Sequence, residues 1–305
     1  MGAASTWMGK LLRRKSSRPR FHTGSVGSGP FTWWLCRMLE ANNMTRRGMV
    51  GLMTTLCAGS RSNAASSATA ELEALERGIG GKLGVFAVEI DSNRTLAWRQ
   101  DDRFLMCSTF KLLAAAAILA RVDARQEELN RLVPYSAADL VEPHPVTGAI
   151  VQAGALPLRT LCEAAVKESD SAAANLLMRR CGGPRALTAF MRSLGDGVTR
   201  VDRYELAANS PDGELDTTSP RAMALSVRKL LFLGALQRGS GELLEGWMRG
   251  DWRGAHRIRA GIPKTWVAGS KPGTSATSTN DVAVLRPRGA TARAQPGGGA
   301  TTGNA

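Results

Sequence analysis

No run of about 18 uninterrupted apolar residues occurs in this 305-residue chain, which excludes a conventional transmembrane helix. Metal-ligand spacing is also missing. The five cysteines (36, 57, 107, 162 and 181) form no C-x-x-C pair, and His22, His144 and His256 are scattered, so no structural zinc site is expected. Their odd number offers no disulfide framework, and free, mostly buried thiols are expected. Acidic residues are almost absent from the two ends: residues 1–70 carry ten Lys or Arg against Glu40 alone, and 286–305 carry Arg286, Arg288 and Arg293 with no acid. Of the formal charge of +14, only +2 falls in 71–285. A nucleic-acid groove would carry its excess on the folded surface, so no nucleic-acid partner is expected. Hydrophobic residues make up 43% and charged residues 22%, an ordinary globular balance.

Residues 1–43 read as a non-domain extension, with a basic run (Arg13, Arg14, Lys15, Arg18, Arg20), Gly/Ser segments and isolated tryptophans without helix or strand period. The G-S-V-G-S-G at Gly24–Gly29 follows no strand and opens no helix, so it is no phosphate loop. At Met44 the character changes: Arg46-Arg47, a moderately apolar stretch Gly48–Gly59, then small residues ending Ala68-Thr69-Ala70. That order predicts an export signal over 44–70, of twin-arginine type, starting at Met44 and cleaved near Ala70. The expected location is therefore the periplasm or the medium. A domain is predicted over 71–285, with a helical part at about 102–250. It opens on a short helix (Leu72, Leu75, Ile79) and a hairpin, Leu83–Ile90 and Thr95–Arg99, across Asp91-Ser92-Asn93. Further strands are expected at Lys264–Ser270 and Asp281–Leu285, giving an α+β protein whose antiparallel sheet is built from both chain ends. Residues 286–305, with no aliphatic side chain larger than alanine, read as a disordered tail.

Four segments carry candidate chemistry. In Phe104–Ala120, Lys111 is the lone charge on a helix apolar all round, so it is buried and its pKa is pushed down toward that of a base. Ser108 stands three residues earlier, on the same face and at the helix start, where free N–H groups face a developing anion. This is the pattern of an activated serine nucleophile; a serine cap with a snorkelling lysine is the plain alternative. Ser169-Asp170-Ser171 opens another helix and by itself reads as a cap. Arg200–Asp216, seventeen residues rich in charge and without periodicity, is long enough to suggest function and holds Arg203, Glu205, Asn209 and Asp216. Lys271-Pro272-Gly273-Thr274 closes a strand.

Taken together these segments resemble the S-x-x-K, S-D-N and K-T-G set of class A (serine) β-lactamases. The order here is Ser108-Thr109-Phe110-Lys111, Ser169-Asp170-Ser171, Asp202–Asn209 and Lys271-Pro272-Gly273, and the resemblance runs from about Leu83 to Leu285. It implies a β-lactamase/D,D-peptidase-like fold and an exported, monomeric hydrolase that opens the β-lactam ring of penicillins or cephalosporins without metal or cofactor. Catalytic roles would fall to Ser108 as nucleophile, Lys111 as its activator, Ser169 as proton relay and Glu205 as deacylating base. Ser171, Asn209, Arg257, Lys271, Gly273 and Thr274 would bind substrate. Arg203 and Asp216 would tie the ends of their loop. Ser171 and Pro272 replace the family's Asn and hydroxyl residue, Cys107 and Cys162 lack the family's disulfide partners, and the family's last strand and closing helix are expected to be missing after Leu285. A penicillin-binding D,D-peptidase and a catalytically impaired remnant are the competing readings; Glu205 with Asn209 argues against the first.

Overall fold

A computed structural model describes the backbone of residues 33–40 and residues 63–287. A five-stranded antiparallel sheet is formed by β1 (Trp33–Glu40), β2 (Lys82–Glu89), β3 (Thr95–Trp98), β8 (Val267–Thr274) and β9 (Ser278–Arg286), in the order β3-β2-β1-β9-β8. Both faces of the sheet are covered. Leu83, Val85 and Ala87 of β2 join Ala283 and Leu285 of β9 in a core beneath α1 (Asn63–Ile79) that includes Leu72 and Ile258. The alternate residues Phe86, Val88, Val282 and Val284 face the larger core of the helical part. This is the period of two expected of pleated strands, with each phase feeding a different core.

The helices between are α2 (Phe110–Asp123), α3 (Leu158–Lys167), α4 (Ser171–Cys181), α5 (Pro184–Ser193), α6 (Pro220–Phe232) and α7 (Arg238–Gly250), with the short pairings of β4 (Phe104–Leu105) with β7 (Thr217–Thr218) and of β5 (Leu132–Pro134) with β6 (Ala155–Pro157). Every residue of α2 from Phe110 to Leu119 is buried, as a helix apolar all round demands. α4 starts where Asp170 accepts from the Ala173 N–H, and stops at Gly182 in the left-handed region.

One sequence expectation needs correction. Trp33–Glu40 is not outside the domain: it occupies the centre of the sheet, antiparallel to β2 on one side and β9 on the other. The position next to β9 that the expected loss of a last strand would leave open is therefore filled from the other end of the chain. In addition, α1 starts at Asn63 and runs unbroken past the expected cleavage point, with Ala68 buried in the core under the sheet. Most of the export signal, 44–62, lies outside the described residues, as do 288–305. Among the described residues no helix is long and apolar enough to cross a membrane.

Candidate active site

The site forms where the start of α2, the start of α4, the loop before β7 and the edge strand β8 meet. Ser108 lies in a single 3-10 turn, Cys107–Thr109, that feeds α2. Cys107 has φ +49 there, a left-handed conformation that swings the chain onto the helix axis. Asn280 of β9 fastens the turn by donating from Nδ2 to the Leu105 carbonyl (2.6 Å) and the Met106 carbonyl (3.0 Å). Gly273 lies directly beneath. A Cβ at that residue would stand 2.8 Å from the Met106 oxygen and 3.0 Å from the Ser108 nitrogen, so the close approach of β8 to the turn requires glycine. Gly273→Ala is expected to push strand and turn apart, cut turnover about 100-fold and lower stability by about 1–3 kcal/mol. Steady-state rates and thermal unfolding of that variant check this; unchanged rates would contradict it.

Lys111 and Lys271 are both fully buried. Lys111 Nζ donates to the Ser169 carbonyl (2.7 Å) and Ser171 Oγ (3.0 Å) and pairs with Glu205 Oε1 at 3.0 Å. Burial pushes its pKa below the usual 10.5, and the Glu205 charge opposes that fall. The Ser108 hydroxyl is half-buried and makes no hydrogen bond among the described residues. The i, i+3 spacing thus brings Lys111 under the nucleophile's turn, but its ammonium is held by the loops around it. Lys271 Nζ donates to Ser169 Oγ (3.0 Å) and the Pro272 carbonyl (2.9 Å). Its pKa falls to about 7, through burial first and the Lys111 charge second. Ser169 itself is held at φ +55.

Glu205 is buried, with its second carboxylate oxygen accepting from Asn209 Nδ2. Its backbone is pinned from both sides by Asn175 of α4, whose Nδ2 donates to the Glu205 carbonyl (3.0 Å) and whose Oδ1 accepts from the Glu205 N–H (2.9 Å). The ends of the loop are tied by Asp216, which accepts from the Asp202 and Arg203 N–H groups and from Arg203 Nε at 2.6 Å. Asp216 has φ +55, a backbone that Asp tolerates better than most residues.

Pro272 is tolerated because β8 is the outer strand of the sheet. It has no N–H to offer, and its carbonyl serves Lys271, so its main-chain polar side is turned away from β9. Alternation along the strand puts the Thr274 N–H on that same open side. Arg257 donates to the carbonyls of Gly273 and Asn280 and, from its other nitrogen, to Thr274 Oγ1. Thr274 is exposed and Arg257 half-buried, at the open end of the cleft. Ser171 is the outlier: it is fully buried with its hydroxyl on Lys111, a support for the lysine and not part of the cleft wall.

Two supporting residues went unassigned in the sequence, Asn175 and Asn280, and Asp170, expected as a helix cap, does more than cap. Asp170 is buried and accepts from the N–H groups of Val146, Thr147 and Ala173, locking the start of α4 to the opposite loop. Only the spacing of Asn175, one turn beyond Ser171 on the same helix face, hinted at its part.

The model of the β-lactamase enzyme family matches residues 67–293. The chain belongs to that family. Among its relatives it is 44% identical over 218 residues to β-lactamase AST-1 of Nocardia asteroides, which covers 70% of each chain. It is 42% identical over 219 residues to the carbapenem-hydrolyzing β-lactamase KPC of Klebsiella oxytoca, covering 70% of this chain and 74% of that one. Of solved structures, an ancestral class A β-lactamase superimposes with a TM-score of 0.67 at 42% identity, over 72% of this chain and 90% of that one. A β-lactamase from Burkholderia vietnamiensis gives 0.68 at 46% identity, over 76% and 90%. The relatives establish the chain as a class A β-lactamase with the α+β fold of that class.

Proposed function

We propose that the protein is an exported enzyme that hydrolyses penicillins and cephalosporins through an acyl-enzyme on Ser108. The observation that carries this reading is the buried Glu205 carboxylate, shared between Lys111 and Asn209, in a loop closed by Arg203 and Asp216 beside the nucleophile's turn. In this mechanism Ser108 Oγ attacks the strained lactam carbonyl and its proton passes into the Lys111 network. The Ser108 and Thr274 N–H groups hold the oxyanion. The C–N bond of the ring breaks, and the nitrogen takes a proton relayed through Ser169 from the Lys271 side. Asn209 and Glu205 then hold and deprotonate the water that cleaves the ester. A transpeptidase has no use for such a base.

Turnover of a chromogenic cephalosporin tests the reading: the parent chain should hydrolyse it and Ser108→Ala should not. Equal rates for the two would dispose of the assignment.

Substrate recognition gives a pH prediction. Lys271 and Arg257 with Thr274 would attract the substrate carboxylate. Lys271 loses its charge as pH rises through about 7, so KM should rise and kcat/KM fall above that pH. In Lys271→Arg, whose guanidinium stays charged, the alkaline fall should move upward. Rates measured from pH 6 to 9 decide, and a flat parent profile would rule out this role for Lys271.

A further inference from the structure

We propose that Trp33–Glu40 is an obligatory internal strand of the enzyme: the part of the chain that resembles the family is an incomplete sheet, and this segment of the same chain fills the strand-wide slot between β2 and β9. This inference is independent of the catalytic reading above.

The family match begins at residue 67, yet the central strand of the sheet lies some thirty residues before it. The fit is complete on both sides. All eight residues of β1 pair in register with β2, from Trp33 opposite Glu89 to Glu40 opposite Lys82, and all eight pair with β9, from Trp33 opposite Leu285 to Glu40 opposite Ser278. Both faces at that level are core, because neighbouring residues of β2 and β9 alternate between the core under α1 and the core of the helical part. A strand buried on both faces must be apolar at consecutive positions. W-W-L-C-R-M-L-E has six apolar residues in eight, whereas 287–305 contain no Val, Ile, Leu, Met, Phe, Trp or Tyr. The downstream tail offers no strand for the slot, and the segment paired there is the upstream one.

Without β1, β2 and β9 would each present a row of unpaired N–H and C=O groups in the middle of the sheet, and β3-β2 would be parted from β9-β8. β8 carries Lys271, Gly273 and Thr274, so the strand holds one wall of the cleft to the rest of the fold. The slot and the export signal make opposite demands on the same residues: cleavage near Ala70 would remove the strand. On this proposal any exported form of the enzyme keeps residues 33–40 attached, with no cleavage near Ala70.

Register supplies the test. Cys36 lies directly opposite Val282 of β9, at the 4.5–5.5 Å Cα spacing of antiparallel partners, which is within disulfide reach. In the full chain, Val282→Cys is expected to form a disulfide with Cys36 under mild oxidation, seen as a linked peptide pair by mass spectrometry of the soluble monomer. Ala283→Cys, one residue out of register, should form little or none with Cys36. A soluble, folded Val282→Cys protein without the link, or equal linkage in both variants, would overturn the proposal. A chain starting at Met44 gives a second, independent reading. It should lose its cooperative thermal transition or accumulate insoluble, and addition of a synthetic peptide of residues 33–40 during refolding should raise the soluble yield. A Met44-start chain that unfolds at the parent's Tm would equally overturn it. Neither readout uses a β-lactam, so failure here is distinct from failure of the catalytic assignment.

Discussion

Glu205→Ala, mixed with a penicillin, is expected to stop with Ser108 acylated, and intact-mass spectrometry should show the protein heavier by one whole substrate molecule. Opening the ring expels no leaving group, so the full mass stays on the enzyme until water cleaves the ester. That second step needs a base, and among the described residues the carboxylate bonded to both Lys111 and Asn209 is Glu205. Removing a positioned general base costs typically 10²–10⁴-fold, which should fall on deacylation. Acylation survives because the Lys111 side of the site is left in place. Burial already lowers the Lys111 pKa and Glu205 is the largest influence raising it, so more of the variant's lysine is neutral and free to accept a proton. Burst kinetics should show a stoichiometric first turnover followed by a slow steady state. Parent-like turnover of Glu205→Ala would move the deacylating role elsewhere.

What the sequence made legible, and what it hid, follows from where each residue's partners lie. Ser108 and Lys111 are three residues apart, so their kinship is written in local helical geometry. The Arg203–Asp216 tie spans a loop whose length and charge mark it out. Asn280 acts on the Leu105 carbonyl, 175 residues away, and Asn175 acts on the backbone of Glu205, 30 residues away. Nothing local distinguishes such an asparagine from any other. The burial of Lys111 follows from its apolar helix, whereas the Ser169 carbonyl, the Ser171 hydroxyl and the Glu205 carboxylate that grip it are set by tertiary contact alone.

The front of the chain misled for a different reason. A half-exposed strand announces itself by alternation, but a strand with core on both sides does not. Trp33 and Trp34 therefore read as isolated tryptophans in a basic, Gly/Ser-containing extension without strand period. The Ala/Ser-rich stretch before Glu71 has the composition of a cleavage region, and its alanines also favour a helix, which α1 forms through them.

The second large effect concerns stability. Lys111→Met should be among the most damaging single changes in the fold. It leaves the buried Glu205 carboxylate without its counter-charge and takes the donor from the Ser169 carbonyl and the Ser171 hydroxyl. Removing one member of a buried ion pair typically costs about 3–5 kcal/mol. In a domain of this size each kcal/mol is worth about 2–4 °C, so Tm should drop by about 6–20 °C. Methionine nearly fills the volume of the lysine stem, which keeps the cavity contribution small and isolates the charge. Replacing both partners removes the stranded charge altogether. Lys111→Met combined with Glu205→Gln should therefore recover much of the loss, and the double variant should be more stable than Lys111→Met alone. Because the two residues touch, a coupling energy of about 0.5–3 kcal/mol is expected from the full cycle, measured by denaturant unfolding of all four proteins. Simple additivity would mean that the 3.0 Å contact contributes nothing to the fold, and that Lys111 is held in place by its other two bonds.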